Sequence, residues 1–202
     1  MGKIKVFVDL DDTLIDTAEI KRGMFGAVAN LGVMAEEVES RYRKLRDTQP
    51  FTIDGFVAVL SDLKDQGAVR EALEDYFANL SPAMIEGRME WLDAQYPPDR
   101  FERILYTYGN PEFQETKVKG LGLEGKFDRI LYIEGDKAEA LSEYVGEDEI
   151  FIFIDDKENV LEQVGEHFPH AEIYHVKEHN EDPEIYVPVP AEPGSEPDLR
   201  RS

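Results

Sequence analysis

The sequence predicts an α/β protein, a doubly wound parallel sheet interrupted by one inserted all-helical cap. Three observations carry this reading. Five short segments rich in Val, Ile, Leu, Phe and Tyr are almost continuously apolar, as strands covered on both faces are. Helix-like stretches separate the last four of them, the alternation that builds a parallel sheet. Between the first and second segments, apolar residues recur at three- and four-residue spacing with no strand pattern, which reads as helices inserted into the sheet domain.

The predicted strands are Ile4 to Val8, Arg103 to Thr107, Arg129 to Ile133, Ile150 to Ile154 and Glu172 to Val176. Helices are expected over Glu112 to Gly120, Lys137 to Tyr144 and Glu158 to Phe168 between the later strands, and near Ile85 to Ala94 before the second. The inserted stretch holds four further helical patterns, Ala18 to Leu31, Ala35 to Arg46, Ile53 to Asp65 and Val69 to Leu80. This divides the chain into a core (1–16 and 83–177), a cap (17–82) and an acidic tail (178–202). Five of the 11 prolines fall between Pro183 and Pro197, so the tail is expected to be loose unless Ile185, Tyr186 and Val187 pin it to the core.

Composition narrows the chemistry. The 202 residues suffice for one core domain with a modest insertion. No apolar run reaches the roughly 18 residues of a membrane span, and no signal-peptide layout opens the chain, so a cytoplasmic protein is expected. The absence of cysteine excludes disulfides, thiolate metal sites and a cysteine nucleophile, leaving oxygen ligands or the four histidines for any metal. Forty-four acidic against 22 basic residues give a formal charge of −22, unsuited to nucleic-acid polymers or anionic membranes. A small anionic partner stays open, because one bound cation can invert the field within a cleft.

The residues suited to chemistry cluster at strand ends. The first strand runs into Asp9-Leu10-Asp11-Asp12-Thr13, and carboxylates that close destabilise one another unless a cation or hydrogen bonds compensate. An acidic turn with Asp16 or Thr17 capping the next helix is the structural alternative. The fourth strand ends in Asp155-Asp156, a second acidic pair in the equivalent topological place, although Asp156 also suits an N-cap. The second strand ends Thr107-Tyr108-Gly109-Asn110-Pro111, where Asn110 and Pro111 signal a helix start and the turn's amides and the Thr107 hydroxyl can face an anion. Lys137 opens a helix, a position the macrodipole disfavours for a cation, so it needs an anionic partner, the alternative being a solvent-facing lysine balanced by Glu134 and Asp136.

Together these four segments, in this order, resemble the motifs of the haloacid dehalogenase-like (HAD) hydrolase superfamily, in its phosphatase type with a helical cap. The resemblance spans residues 4 to 156 and departs at Asp12, where many members have glycine. It implies that Asp9 attacks phosphorus to form an aspartyl-phosphate and that Asp11 acts as acid and then base. It also implies that Mg2+ sits on Asp9, the Asp11 backbone carbonyl, Asp155 and Asp156, with Thr107, Tyr108, Gly109 and Lys137 binding the phosphoryl oxygens. Dehalogenases of the superfamily lack the second aspartate, so Asp11 points to phosphate esters. With Lys137 only 30 positions after Thr107, a cap fits at the first insertion point and not at the second. The implied partner is a small phosphorylated metabolite. Lys21, Arg22, Tyr42 and Arg46 are the cap side chains available to a leaving group, though each also suits a solvated helix face. A phosphomutase or phosphotransferase, a phosphorylatable signalling domain and a silent binding relative are the competing readings.

Overall fold

In the computed structural model, residues 2–146 and 148–186 are described. Strands β1 (Ile4–Val8), β2 (Phe101–Tyr108), β3 (Arg129–Ile133), β4 (Ile152–Asp155), β5 (Glu172–His175) and β6 (Glu184–Ile185) form one sheet in the order β3-β2-β1-β4-β5-β6. The first five are parallel, and β6 joins β5 antiparallel. β1 lies central, with Val6 level with Arg103 on one side and Ile152 on the other.

Successive side chains of a strand point to opposite faces, and the two faces bury different partners. Phe7 packs edge-on against Tyr106 and Phe151, at ring separations of 5.5 and 5.6 Å, in a cluster with Leu141, Leu161 and Val164. Val6 and Val8 face the other way, into a core that continues without a break into the cap through Ile20, Met24, Phe56 and Phe77. Cap and core therefore share apolar packing on one side of the sheet.

Between β1 and the return helix lie α1 (Thr17–Ala29), α2 (Ala35–Arg46), α3 (Ile53–Val59) and α4 (Gln66–Phe77), the inserted segment termed the cap, with α1 against α2 and α4, and α3 against the same two. Side-chain caps set their starts: Asp16 accepts from the amides of Ala18 and Glu19, Thr52 from Gly55, and Asp65 from Ala68. Leaving and returning chains run side by side, since Asp16 N donates to Ala83 O and Ile85 N to Leu14 O. Helix α3 is shorter than its apolar pattern suggests because Arg41 takes the Val59 carbonyl and holds Asp62 bidentately, at 2.8 Å each. The return helix α5 (Arg88–Gln95) starts later than its periodicity predicts, after Gly87 in a left-handed turn with φ 76°.

Helices α6 (Pro111–Gly120), α7 (Lys137–Leu141) and α8 (Glu158–His167) complete the alternation. Asn110 caps α6 as expected, accepting from Phe113 N, and Pro111 opens the helix. Asp156 does not cap α8; the residue at that position is Lys157, with no side-chain hydrogen bond. Part of the segment read as a loose tail is built into the fold. Buried Arg88 donates to the carbonyls of Glu178, His179 and Glu181, β6 adds to the sheet edge, and Tyr186 N donates to Ile173 O. Val187, the third residue named as a pin, lies outside the described residues together with the rest of the tail.

Candidate active site

The strand order puts the carboxyl ends of β1 and β4 side by side, and the chain continues from each into an aspartate. Asp9 N donates to Ile154 O at 2.9 Å, which brings Asp9 beside Asp155. Both are essentially inaccessible, at 3% and 0% exposure. Lys137 reaches between them from the first turn of α7, donating to Asp9 Oδ1 and, at 2.6 Å, to Asp155 Oδ2. The cation at a helix start has thus found buried anions, while Asp136 caps the helix and takes no part in holding Lys137.

Asp9, Asp155 and Asp156 each offer an oxygen within 4.8 Å of the others. Asp9 Oδ2 and Asp156 Oδ1 are buried and have no hydrogen-bond partner among the described residues. Three carboxylates share Lys137, which binds two of them, and Lys157, whose charge acts on all three, so the cluster carries more potential negative than positive charge, which a cation on oxygen ligands would offset. The titration tendencies report this strain. Burial raises Asp9 to about 6, with Lys137 opposing and Asp155 adding to the rise. Burial and the carboxylates of Asp9 and Asp155 raise Asp156 to about 7. Burial alone would lower Lys137, but those two carboxylates win and raise it, so the ammonium is charged. The donor set and its orphaned oxygens fit a hard cation such as magnesium.

Asp11 stands apart from this cluster. Lys117 donates to both its oxygens, at 2.5 and 2.6 Å, and Gln114 Nε2 donates to Oδ2 at 3.1 Å. Burial pushes the Asp11 carboxyl up, but the Lys117 ammonium and these hydrogen bonds outweigh it, so the group is held below its usual range. Any share of Asp11 in holding a metal falls to its backbone carbonyl, as the resemblance has it.

Asp12 has φ 58°, making it the one non-glycine residue with positive φ among the described residues. Aspartate tolerates this region better than most side chains, and here its carboxylate accepts from Thr17 Oγ1 at 2.6 Å and Thr17 N at 3.1 Å. The departure from glycine thus keeps the turn and ties it to the first cap helix.

Thr107, at the end of β2, is fully buried with its hydroxyl unpartnered among the described residues, and Thr13 is in the same condition. Tyr108 is half-exposed and its carbonyl accepts from Gln114 Nε2 at 2.7 Å. The Gly109 amide donates to Ile133 O, so that donor is taken by the sheet edge. What Gly109 supplies is a φ of 136° and space, since a Cβ there would lie 2.8 Å from Gln114 Nε2.

A cavity of about 860 Å3 opens over Asp11 and Asp12 between core and cap. Of the cap residues named as specificity candidates, Lys21, Tyr42 and Arg46 line it, Lys21 and Arg46 being exposed to solvent as well, whereas Arg22 does not line it and pairs with Glu19. Phe51 and Phe113, with rings 4.5 Å apart, line it, and Phe77 packs against Phe113 at 5.5 Å. A smaller cavity of about 540 Å3 lies beyond Phe113 and touches none of the strand-end aspartates. Gln114 and Lys117 are the site residues the motifs do not reveal. Their one trace is a pair of long polar side chains three apart on α6, following Asn110-Pro111.

No protein-family model matches the sequence, and no curated protein is significantly similar to it. Solved structures do match. A structure described as a haloacid dehalogenase-like hydrolase, from Burkholderia xenovorans, aligns over 85% of this chain and 81% of its own at 15% identity with a TM-score of 0.64. The HAD-hydrolase YfnB of Bacillus subtilis, solved with magnesium, covers 86% of each chain at 13% identity and TM-score 0.54. L-2-haloacid dehalogenase of Xanthobacter autotrophicus covers 86% of this chain and 76% of its own at 14% identity and TM-score 0.53. The chain therefore has the fold of the haloacid dehalogenase-like hydrolases. Among the described residues no helix is long and apolar enough to cross a membrane.

Proposed function

We propose that this chain is a magnesium-dependent phosphatase that hydrolyses a small phosphomonoester through an aspartyl-phosphate on Asp9. The observation that carries the reading is the carboxylate set Asp9, Asp155 and Asp156 with its orphaned oxygens at the carboxyl ends of β1 and β4. Asp11 distinguishes phosphate chemistry from carbon–halogen cleavage, because the resemblance gives dehalogenases no second aspartate.

A bound magnesium ion would supply charge neutralisation between the Asp9 carboxylate and the anionic phosphoryl group, held by Asp9, the Asp11 carbonyl, Asp155 and Asp156. The chain's own groups do the rest. Lys137 holds Asp9 in place and contributes positive charge where phosphoryl oxygens gather. The unpartnered Thr107 hydroxyl is a donor for one of those oxygens, and Tyr108 and Gly109 form the rim of that pocket. Asp9 attacks phosphorus, Asp11 passes a proton to the leaving oxygen, and Asp11 then takes a proton from the water that cleaves the acyl-phosphate. Lys117 biases Asp11 towards its ionised form, which suits the second half; the negative charge of an arriving ester works against that bias and favours the protonated form needed first.

Inorganic phosphate release from a panel of phosphomonoesters, with and without magnesium, tests this, with halide release from 2-haloacids measured alongside. The account expects magnesium-dependent phosphate release abolished by Asp9→Asn. Halide release without any ester turnover would refute it.

A further inference from the structure

In a chain with 44 acidic and 22 basic residues, the cavity above Asp11 collects four cationic side chains, Lys21, Arg46, Lys117 and Lys157. Lys117 is committed to Asp11. Lys21 and Arg46 belong to the cap, and neither forms an ion pair among the described residues. Their helical neighbours do: Arg22 pairs with Glu19, Arg41 with Glu37 and Asp62, and Arg43 with Glu39. Lys44 and Lys64 also form no ion pair among the described residues, so what sets Lys21 and Arg46 apart is that they line the cavity.

The charge of Arg46 acts across the same space as the reacting groups. Burial raises the Tyr42 hydroxyl, with Arg46 opposing the rise and Asp11 adding to it, and all three residues line the cavity. The lining also includes the apolar Ile20, Met24, Phe51 and Phe113, and the acidic Asp12 and Glu134. At about 860 Å3 the cavity is far larger than a phosphoryl group needs and lies in the range of sites that enclose a whole small molecule. The cavity thus brings together Asp11, apolar side chains and two cap cations.

Resting on the phosphatase reading above, we infer that the cap selects phosphomonoesters whose leaving group carries a second anionic group, carboxylate or phosphate, held by Arg46 and Lys21. The guanidinium suits either oxyanion, since it offers paired donors in a plane.

The test compares phenyl phosphate with 4-carboxyphenyl phosphate, which differ by one anionic group, and phenyl phosphate with a phenylene bisphosphate to separate the two anions. In the wild type kcat/KM should be about tenfold or more higher for at least one of the dianionic-tail esters, the size of one charge-assisted contact. Lys21→Gln combined with Arg46→Gln should bring that ratio close to one. Equal turnover of all three esters, or a preference that survives the double variant, would overturn the inference while leaving the phosphatase reading intact. Turnover of none of them, or of any other ester, would overturn both.

Discussion

Lys117 Nζ lies 2.5 and 2.6 Å from the two carboxylate oxygens of Asp11, joining residues 106 positions apart in the chain. The contact puts a buried ammonium on the group assigned as acid and base, and against the upward push of burial it is the main influence holding that group's titration down.

Replacing the ammonium gives a signed prediction. Lys117 holds Asp11 below its usual range, so Lys117→Met removes the charge and lets burial raise it. The limb of the pH–rate profile that reports Asp11 should move towards higher pH by about one unit or more. A profile that keeps its position while the rate changes would show that Lys117 acts on the fold and not on Asp11.

Without a cation, the acidic cluster should make stability depend on pH. Asp9 and Asp156 have folded values raised to about 6 and about 7 from an ordinary 3.8, so the folded state holds protons that the unfolded chain has released. Stability from these groups is fully present below about pH 4 and is lost as the pH rises towards 7. Melting temperature in chelator should therefore fall between about pH 5 and pH 8, and magnesium should raise it more at the upper end. Asp156→Asn should shrink both effects, which separates them from the general repulsion of a highly acidic chain. A magnesium effect independent of pH would contradict this reading.

The left-handed turn at Asp12 predicts an order among substitutions. Asp12→Gly keeps the backbone and loses only the hydrogen bonds to Thr17, whereas Asp12→Ala loses those and pays about 1–2 kcal/mol more for φ 58°. Urea midpoints should fall further for alanine than for glycine.

Where α4 ends against α6, the backbones approach closely: Leu80 N donates to Gly120 O, and a Cβ on Gly120 would meet Phe77 O at 1.9 Å. Gly120→Ala should destabilise the protein by about 1–3 kcal/mol, since a backbone atom is in the way and cannot swing aside. Equilibrium denaturation measures this; an unchanged midpoint would mean that cap and core separate at that contact without cost.

How much of this was legible beforehand depended on the range of the interactions. β1 and β3 appear with the expected bounds because their apolar runs are local and bounded by polar residues. Lys137 was legible as a residue in need of an anion, because a cation at a helix start is unfavourable wherever it occurs. The partner of Asp11 was not, since nothing local to Asp11 marks Lys117, and α6 reads as an ordinary amphipathic helix. Helix α3 was overextended for the same reason, its end being set by Arg41 from another helix. Asp12 looked like a motif departure until its φ showed that aspartate fills the conformational role of glycine there. Strand β6, only two residues long, exists through its pairing with Tyr174 and His175 and carries no pattern of its own.

The central claim is that Asp9 carries the phosphoryl group during turnover. Rapid acid quench of the enzyme with magnesium and a turned-over phosphomonoester, followed by mass mapping of the peptides, tests it directly. The account predicts phosphate on the peptide containing Asp9, absent without magnesium and absent in Asp9→Asn. Steady turnover with no phosphate on Asp9 at any quench time, or with the label on another residue, would contradict it.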